Sequence, residues 1–197
     1  QLHHLLYVGA IGKFVLRGSR FQNGYLGHLV KSRARENHVL YNMLADGNEG
    51  RASYELEFPN GGVAYVIGNV IGQSAGTDNP SIISYGAEGQ RWPENALYLI
   101  HNTLVNDMHA GSFLTVQNEK FPAGIEVWAI NNLTVGNGNF FQPAQGRFEG
   151  NRVASRAELI EYGRLPSRLT TMSPLRGSVR SPGSVGVVDL MPNAEFT

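Results

Sequence analysis

Between residues 36 and 136 the chain repeats one pattern of apolar and polar positions. Segments of about five residues alternate, end in an Asn and resume with aliphatic or β-branched residues, as in ENHVLYNML, VAYVIGNVI, ALYLIHNTLV and EVWAINNLTV. The Asn residues fall at 42, 69, 102 and 132, spaced 27, 33 and 30 apart. Aligned on them, the segments form columns. Two residues before stand Leu40, Ile67, Ile100 and Ile130, four before stand His38, Tyr65, Tyr98 and Trp128, and two after stand Leu44, Ile71, Leu104 and Thr134. Alternation of period two marks strands, and matching columns mark strands stacked in register. A repeat near thirty residues suits one coil of a parallel solenoid, with three short strands and three turns, which buries its apolar face only against its neighbours.

The units run His3–Gly27, His28–Ala52, Ser53–Pro80, Ser81–Gly111 and Ser112 to about Gly138, with Ser19 holding the Asn slot in the first. An amide side chain carries donors and an acceptor, so stacked Asn residues at a turn predict a hydrogen-bonded ladder. The sequon Asn132-Leu133-Thr134 would then be inaccessible to glycosylation. Past Asn139 the pattern weakens to a partial sixth coil. ASRAELIEYG predicts a short helix capped by Ser155, and a Ser-, Pro-, Gly- and Arg-rich tail follows. The expected fold is all-β: a parallel β-helix of five to six coils over residues 1–150, with an irregular tail over 151–197 lying along its side or over the last coil.

Composition agrees. Twenty-four glycines and only 16% charged residues fit many short strands and tight turns. The formal net charge is zero, so no overall field draws in nucleic acid or an anionic membrane. Cysteine is absent, which excludes disulfides and thiolate sites. No apolar run approaches the roughly 18 residues of a membrane span.

The repeats, together with LYVG, GHLVKSRA, SYELEFPNGG, GAEG and HNTLV in that order, resemble the right-handed parallel β-helix repeat proteins of the pectate-lyase-like superfamily, over about residues 3–138. The resemblance implies the C-terminal coils of a longer bacterial solenoid, secreted or periplasmic, acting on or binding acidic polysaccharides. An N-terminal β-helix segment or a partner chain would then cover the first coil.

The outward positions of the leading strand of each coil are where a polysaccharide would lie. With Val30, Leu56 and Leu114 inward, alternation places Lys31 and Arg33 outside on the second coil and Glu55 and Glu57 outside on the third. The fourth coil offers Ser84 or Tyr85, and the loop after it adds Glu88, Arg91 and Trp92. Neighbouring coils lie about 4.8 Å apart, so these charges would fall within one sugar's width.

Three readings follow. In β-elimination on a uronate, Lys31 would be the base, its pKa lowered by Arg33. Arg33 or Arg51 would grip the carboxylate, and His28 or Tyr85 would return the proton. In inverting hydrolysis, Glu55 and Glu57 would be the carboxylate pair. In the third reading the charges pair between coils, and Tyr7, Tyr54, Tyr85 and Trp92 stack on sugars without chemistry, in a binding or structural β-helix of adhesin or tailspike type. Asp46, Asn48 and Glu49 have calcium-loop composition without a full ligand set, so calcium is an optional cofactor and no metal site is assigned.

Overall fold

A computed structural model describes residues 3–141, 146–162 and 165–194. Three six-stranded parallel sheets stack into a β-solenoid of about five turns. Sheet one holds the strands Leu6–Val8, Val30–Ser32, Leu56–Phe58, Ser81–Tyr85, Ser112–Val116 and Asn139–Phe140. Sheet two holds Lys13–Arg17, Glu36–Leu40, Val63–Ile67, Ala96–Ile100, Glu126–Ile130 and Gly146–Glu149. Sheet three holds Arg20–Gln22, Met43–Ala45, Val70–Gln73, Thr103–Asn106, Leu133–Gly136 and Arg152–Val153. The sixth coil therefore forms strands in all three sheets, although its residues 142–145 lie outside the described ones.

The corner between sheets two and three has the same two residues' length in every coil. Its first residue is left-handed throughout: Gly18, Tyr41, Gly68, His101, Asn131 and Gly150 all have φ between 53° and 67°. That conformation turns the chain through the corner within one residue; three of the six positions are glycine and none is β-branched, for that reason. Its second residue is the ladder amide. Asn69 Oδ1 accepts from the Asn42 N–H at 2.8 Å and from Asn42 Nδ2 at 3.0 Å. Asn69 Nδ2 donates to Val39 O at 2.8 Å and to Asn102 Oδ1 at 2.9 Å. The pattern repeats through Asn102 and Asn132 and extends one coil further than the spacing suggests, to Asn151. All four hydrogen-bonding positions of each central amide are used. At the other end the Ser19 N–H donates to Asn42 Oδ1 at 2.9 Å, and its short hydroxyl cannot carry the ladder on.

Inside the solenoid, Val30, Leu56, Ile83 and Leu114 from sheet one meet Val39, Val66 and Leu99 from sheet two and Leu44, Ile71 and Leu104 from sheet three. The aromatic column of sheet two forms in register, His38–Tyr65–Tyr98–Trp128, with ring separations of 4.9, 5.1 and 5.4 Å. It faces outward, yet Tyr65 and Tyr98 are buried.

The tail explains this. An antiparallel hairpin of Ser184–Val185 and Val188–Asp189, followed by Leu190, packs over the outer face of sheet two beside Tyr65, Ile67 and Tyr98. A second hairpin, Leu159–Tyr162 with Leu165–Leu169, contributes Leu159 and Leu169 against Met43, Val70 and Val105 on the outer face of sheet three. Residues 163–164 and 195–197 of the tail lie outside the described ones. The expected helix over ASRAELIEYG is a correction: a single 3-10 turn, Arg156–Glu158, runs straight into the strand Leu159–Tyr162. Glu158 takes hydrogen bonds from the Ser155 N–H and hydroxyl, closing the turn, while burial of Leu159 against sheet three favours the extended chain. The described residues of the tail thus cover two outer faces and leave sheet one.

Replacing Asn69 by Ala removes four buried hydrogen bonds, stranding two Asn42 donors on the preceding coil and taking a donor from Val39 O and Asn102 Oδ1, so urea unfolding should show a loss of about 2–5 kcal/mol with an unchanged m-value. Asn48→Ala, at an exposed turn, should stay within about 0.5 kcal/mol of the parent.

Candidate functional site

Strand pairing on sheet one puts Tyr7, Lys31 and Glu57 in one cross-strand row, continued by Ser84 and Thr115. The row faces outward, because its neighbours Val30, Leu56, Ile83 and Leu114 point into the core. Lys31 Nζ lies 2.8 Å from Glu57 Oε2 and 2.9 Å from Glu88 Oε1. His28 Nε2 reaches the same Glu57 oxygen at 2.9 Å. Both contacts fall on one buried Glu57 oxygen.

Arg33 extends the cluster toward solvent. Its guanidinium grips Glu88 through both terminal nitrogens, with Nη2 2.7 Å from Oε1, and its Nε donates to Tyr7 Oη at 2.8 Å. Nη1 also contacts Asn60 Oδ1. From the other side the Trp92 indole donates to Arg33 O at 3.1 Å. Lys31 and Glu57 are 8% and 2% exposed, whereas the Glu88 side chain is 41% exposed. The network therefore meets solvent at its Glu88–Arg33–Tyr7 end.

The protonation pattern follows from these contacts. Burial alone would lower the Lys31 pKa, but Glu57 and Glu88 outweigh it and the net shift is upward. The expectation of a lowered pKa at Lys31 is thereby corrected: two carboxylates hold the ammonium, and the repulsion of Arg33 is spent on Glu88. Burial opposes ionisation of Glu57, yet His28 and Lys31 bring its pKa below the usual carboxylate range. Glu88 is held down to about 2, chiefly by Arg33 and then by Lys31.

The histidines present no free lone pair to a substrate. His28 Nδ1 accepts the Tyr54 N–H at 3.2 Å, which puts the proton of the neutral ring on Nε2, facing Glu57. His4 Nδ1 likewise accepts the His28 N–H at 3.0 Å. Burial pushes the His4 pKa down. His4, His28 and Tyr54 stack as a second column, with centroids 4.6 and 5.1 Å apart.

Two expected site residues point inward. Glu55 precedes the three-residue strand Leu56–Phe58, at a bend where consecutive residues both face the interior. Its counterparts in register are Leu29, Ile82 and Phe113, all buried. Glu55 is wholly buried and neither carboxylate oxygen has a partner. Burial, and then the nearby Asp46 charge, push its pKa well above the carboxylate range. A neutral acid inside the corner cannot pair with Glu57 across a sugar, so the two do not form a catalytic pair. Tyr85 aligns with Phe58 and Val116, and its ring packs between Phe58 and Phe121 with its hydroxyl on Gly62 O. It too is a core residue, and Ser84 takes the outward place.

The others lie at the margins. Tyr54 joins the cluster only through His28. Arg51 is exposed on the corner before sheet one, its backbone bridged to Tyr25. Arg91 is exposed, its guanidinium 5.5 Å from the Trp92 ring centre. Sequence reasoning missed Asn60 as a partner of Arg33. The signal was its place two residues after the strand that carries Glu57.

Among the described residues no group of three or more His, Asp or Glu is arranged to hold a metal ion. The Asp46 carboxylate is already engaged, accepting from the Gly24 and Ala52 N–H groups and from the Thr77 hydroxyl. Comparison with protein-family models, curated proteins and solved structures finds no match to this chain.

The raised pKa of Glu55 sets a pH dependence. The folded state binds its proton more tightly than the unfolded chain, whose carboxyl titrates near 4.5. Its contribution to stability is therefore complete below that pH and is lost as pH rises toward the folded value. Glu55→Gln should flatten this fall in thermal melts taken above pH 4.5. Glu55→Leu, matching the neighbouring coils, should stabilise the protein by about 1–4 kcal/mol at neutral pH.

Proposed function

We propose that this chain is a carbohydrate-binding β-helix of the pectate-lyase-like kind, which holds an extended acidic polysaccharide along the outer face of sheet one without cleaving it. The observation that carries this reading is the cluster of Lys31, Arg33, Glu57 and Glu88 on a solenoid face that the described residues of the C-terminal tail leave uncovered. A flat ladder of parallel strands offers side chains at about 4.8 Å intervals, which suits a repeating polymer. Arg33 supplies a planar, two-pronged donor for carboxylates. Tyr7, half-exposed beside it, supplies an aromatic face for a sugar ring.

Elimination fits less well. It needs a basic lone pair at the acidic carbon, and Lys31 is an ammonium held by two carboxylates while both histidine Nδ1 atoms are engaged. Hydrolysis by Glu55 and Glu57 is disfavoured by the burial of Glu55. Binding of an acidic polymer outside the cell agrees with the family resemblance.

Titration with polygalacturonate, alginate and a neutral glucan, followed by calorimetry, tests this. Acidic polymers should bind and the neutral one should not, with no new absorbance from unsaturated uronate and no new reducing ends. Arg33→Ala should weaken binding by about tenfold or more, the scale of a hydrogen bond to a charged group. Unsaturated product that forms with time and disappears in Lys31→Ala would instead establish the elimination reading.

A further inference from the structure

Glu88 is the least buried member of the charge cluster and also its most tightly held anion. Its carboxylate lies in the fork of Arg33 and touches the Lys31 ammonium through the same Oε1. A two-oxygen anion bridging a guanidinium edge and an ammonium is the arrangement that a uronate carboxylate would adopt in a binding site.

We propose that Arg33 and Lys31 form a carboxylate-binding subsite whose resident occupant is the chain's own Glu88, and that a uronate carboxylate of the bound glycan takes Glu88's place. The proposal rests on the glycan-binding reading above and specifies which group of the glycan is recognised.

Three features support the exchange. The first is charge. With Glu88 in place, two cations face two carboxylates. With Glu88 turned away, Lys31 and Arg33 face Glu57 alone, since the hydrogen bond accepted by His28 Nδ1 marks a neutral ring. The vacated seat then carries one net positive charge, enough for one carboxylate. The second is access. The Glu88 side chain is 41% exposed, while Glu57 beneath stays buried and paired with Lys31 and His28. The third is anchoring. The Glu88 N–H donates to Pro59 O at 2.8 Å, and the Gly89 N–H to Gly86 O at 2.9 Å, so the loop backbone is fastened to the preceding coil and to itself. Release needs only rotation of the Glu88 side chain, and the donors stay put. Arg33 keeps its Tyr7 and Asn60 contacts, which hold the fork in place for the incoming group.

Calorimetry of de-esterified oligogalacturonate binding to the parent protein, Glu88→Gln and Glu94→Gln, at about 0.15 M salt where exposed charges more than ~8 Å apart are screened, tests the exchange. Glu94 is an exposed carboxylate in the same loop that has no part in the cluster, so its variant reports any general effect of removing a negative charge. Glu88→Gln should bind about tenfold more tightly than the parent, which corresponds to about 1.4 kcal/mol. Glu94→Gln should match the parent, and fully methyl-esterified oligomers should bind to none of the three. If the parent binds but Glu88→Gln binds no more tightly, or if Glu94→Gln gains as much, the subsite is overturned while the glycan-binding reading stands. If none of the three proteins binds the acidic oligomer, both fall.

Discussion

Every other feature of this protein depends on the two-residue corner between sheets two and three. A left-handed residue followed by an amide holds each coil at one height relative to the next. The amide donates both to the amide of the following coil and to a backbone carbonyl in the sheet-two strand of the preceding coil. A slip of one residue would break those bonds and send each apolar column to the opposite face. The corner therefore sets which side chains lie in the core, which meet the tail and which remain on sheet one. The charge cluster is a consequence of that register: Lys31 and Glu57 are neighbours because Val30 and Leu56 are.

The C-terminal tail turns a solenoid with three equivalent-looking faces into one with a preferred surface. Its hairpins cover the outer apolar positions of sheets two and three, where Met43, Val70, Tyr65 and Tyr98 would otherwise be exposed. Sheet one needs no such cover, since its outward row is polar. The charges on that row, Lys31 and Glu57, are buried. Such a network is costly unless each member is paired, and here two cations and two carboxylates balance, with His28 added at the most buried oxygen. The least buried ends of this network, at Glu88, Arg33 and Tyr7, are where an outside ligand meets the lowest desolvation barrier.

The contrast between Glu57 and Glu55 shows where strand alternation is a sound guide and where it stops. Glu57 lies within a strand and faces outward beside Lys31, as alternation requires. Glu55 lies at the bend before that strand, where two successive residues both point in, and alternation assigns it to the wrong side. Consecutive buried apolar pairs stand at the same positions in the other coils, Leu29–Val30, Ile82–Ile83 and Phe113–Leu114. Those pairs were visible in the sequence and identify the Glu55 position as interior. Tyr85 is a simpler case: one place further along the strand than Ser84, it falls among Phe58 and Val116 in the core. Lys31 was correctly placed but wrongly charged, because its protonation depends on Glu88, which arrives from a loop 57 residues away.

By itself the sequence determined the coil, the positions of the ladder amides, the aromatic column and the basic and acidic strands that face each other on sheet one. These follow from short-range periodicity and from a repeat that superposes like residues, both of which are written along the chain. The tertiary structure alone decided that Asn151 continues the ladder, that the tail covers two faces and spares the third, and that Glu88 closes over Lys31 and Arg33. Each of these joins residues whose partners lie in loops or in the tail, where no periodicity operates. Their meeting is settled by packing and by charge compensation in three dimensions.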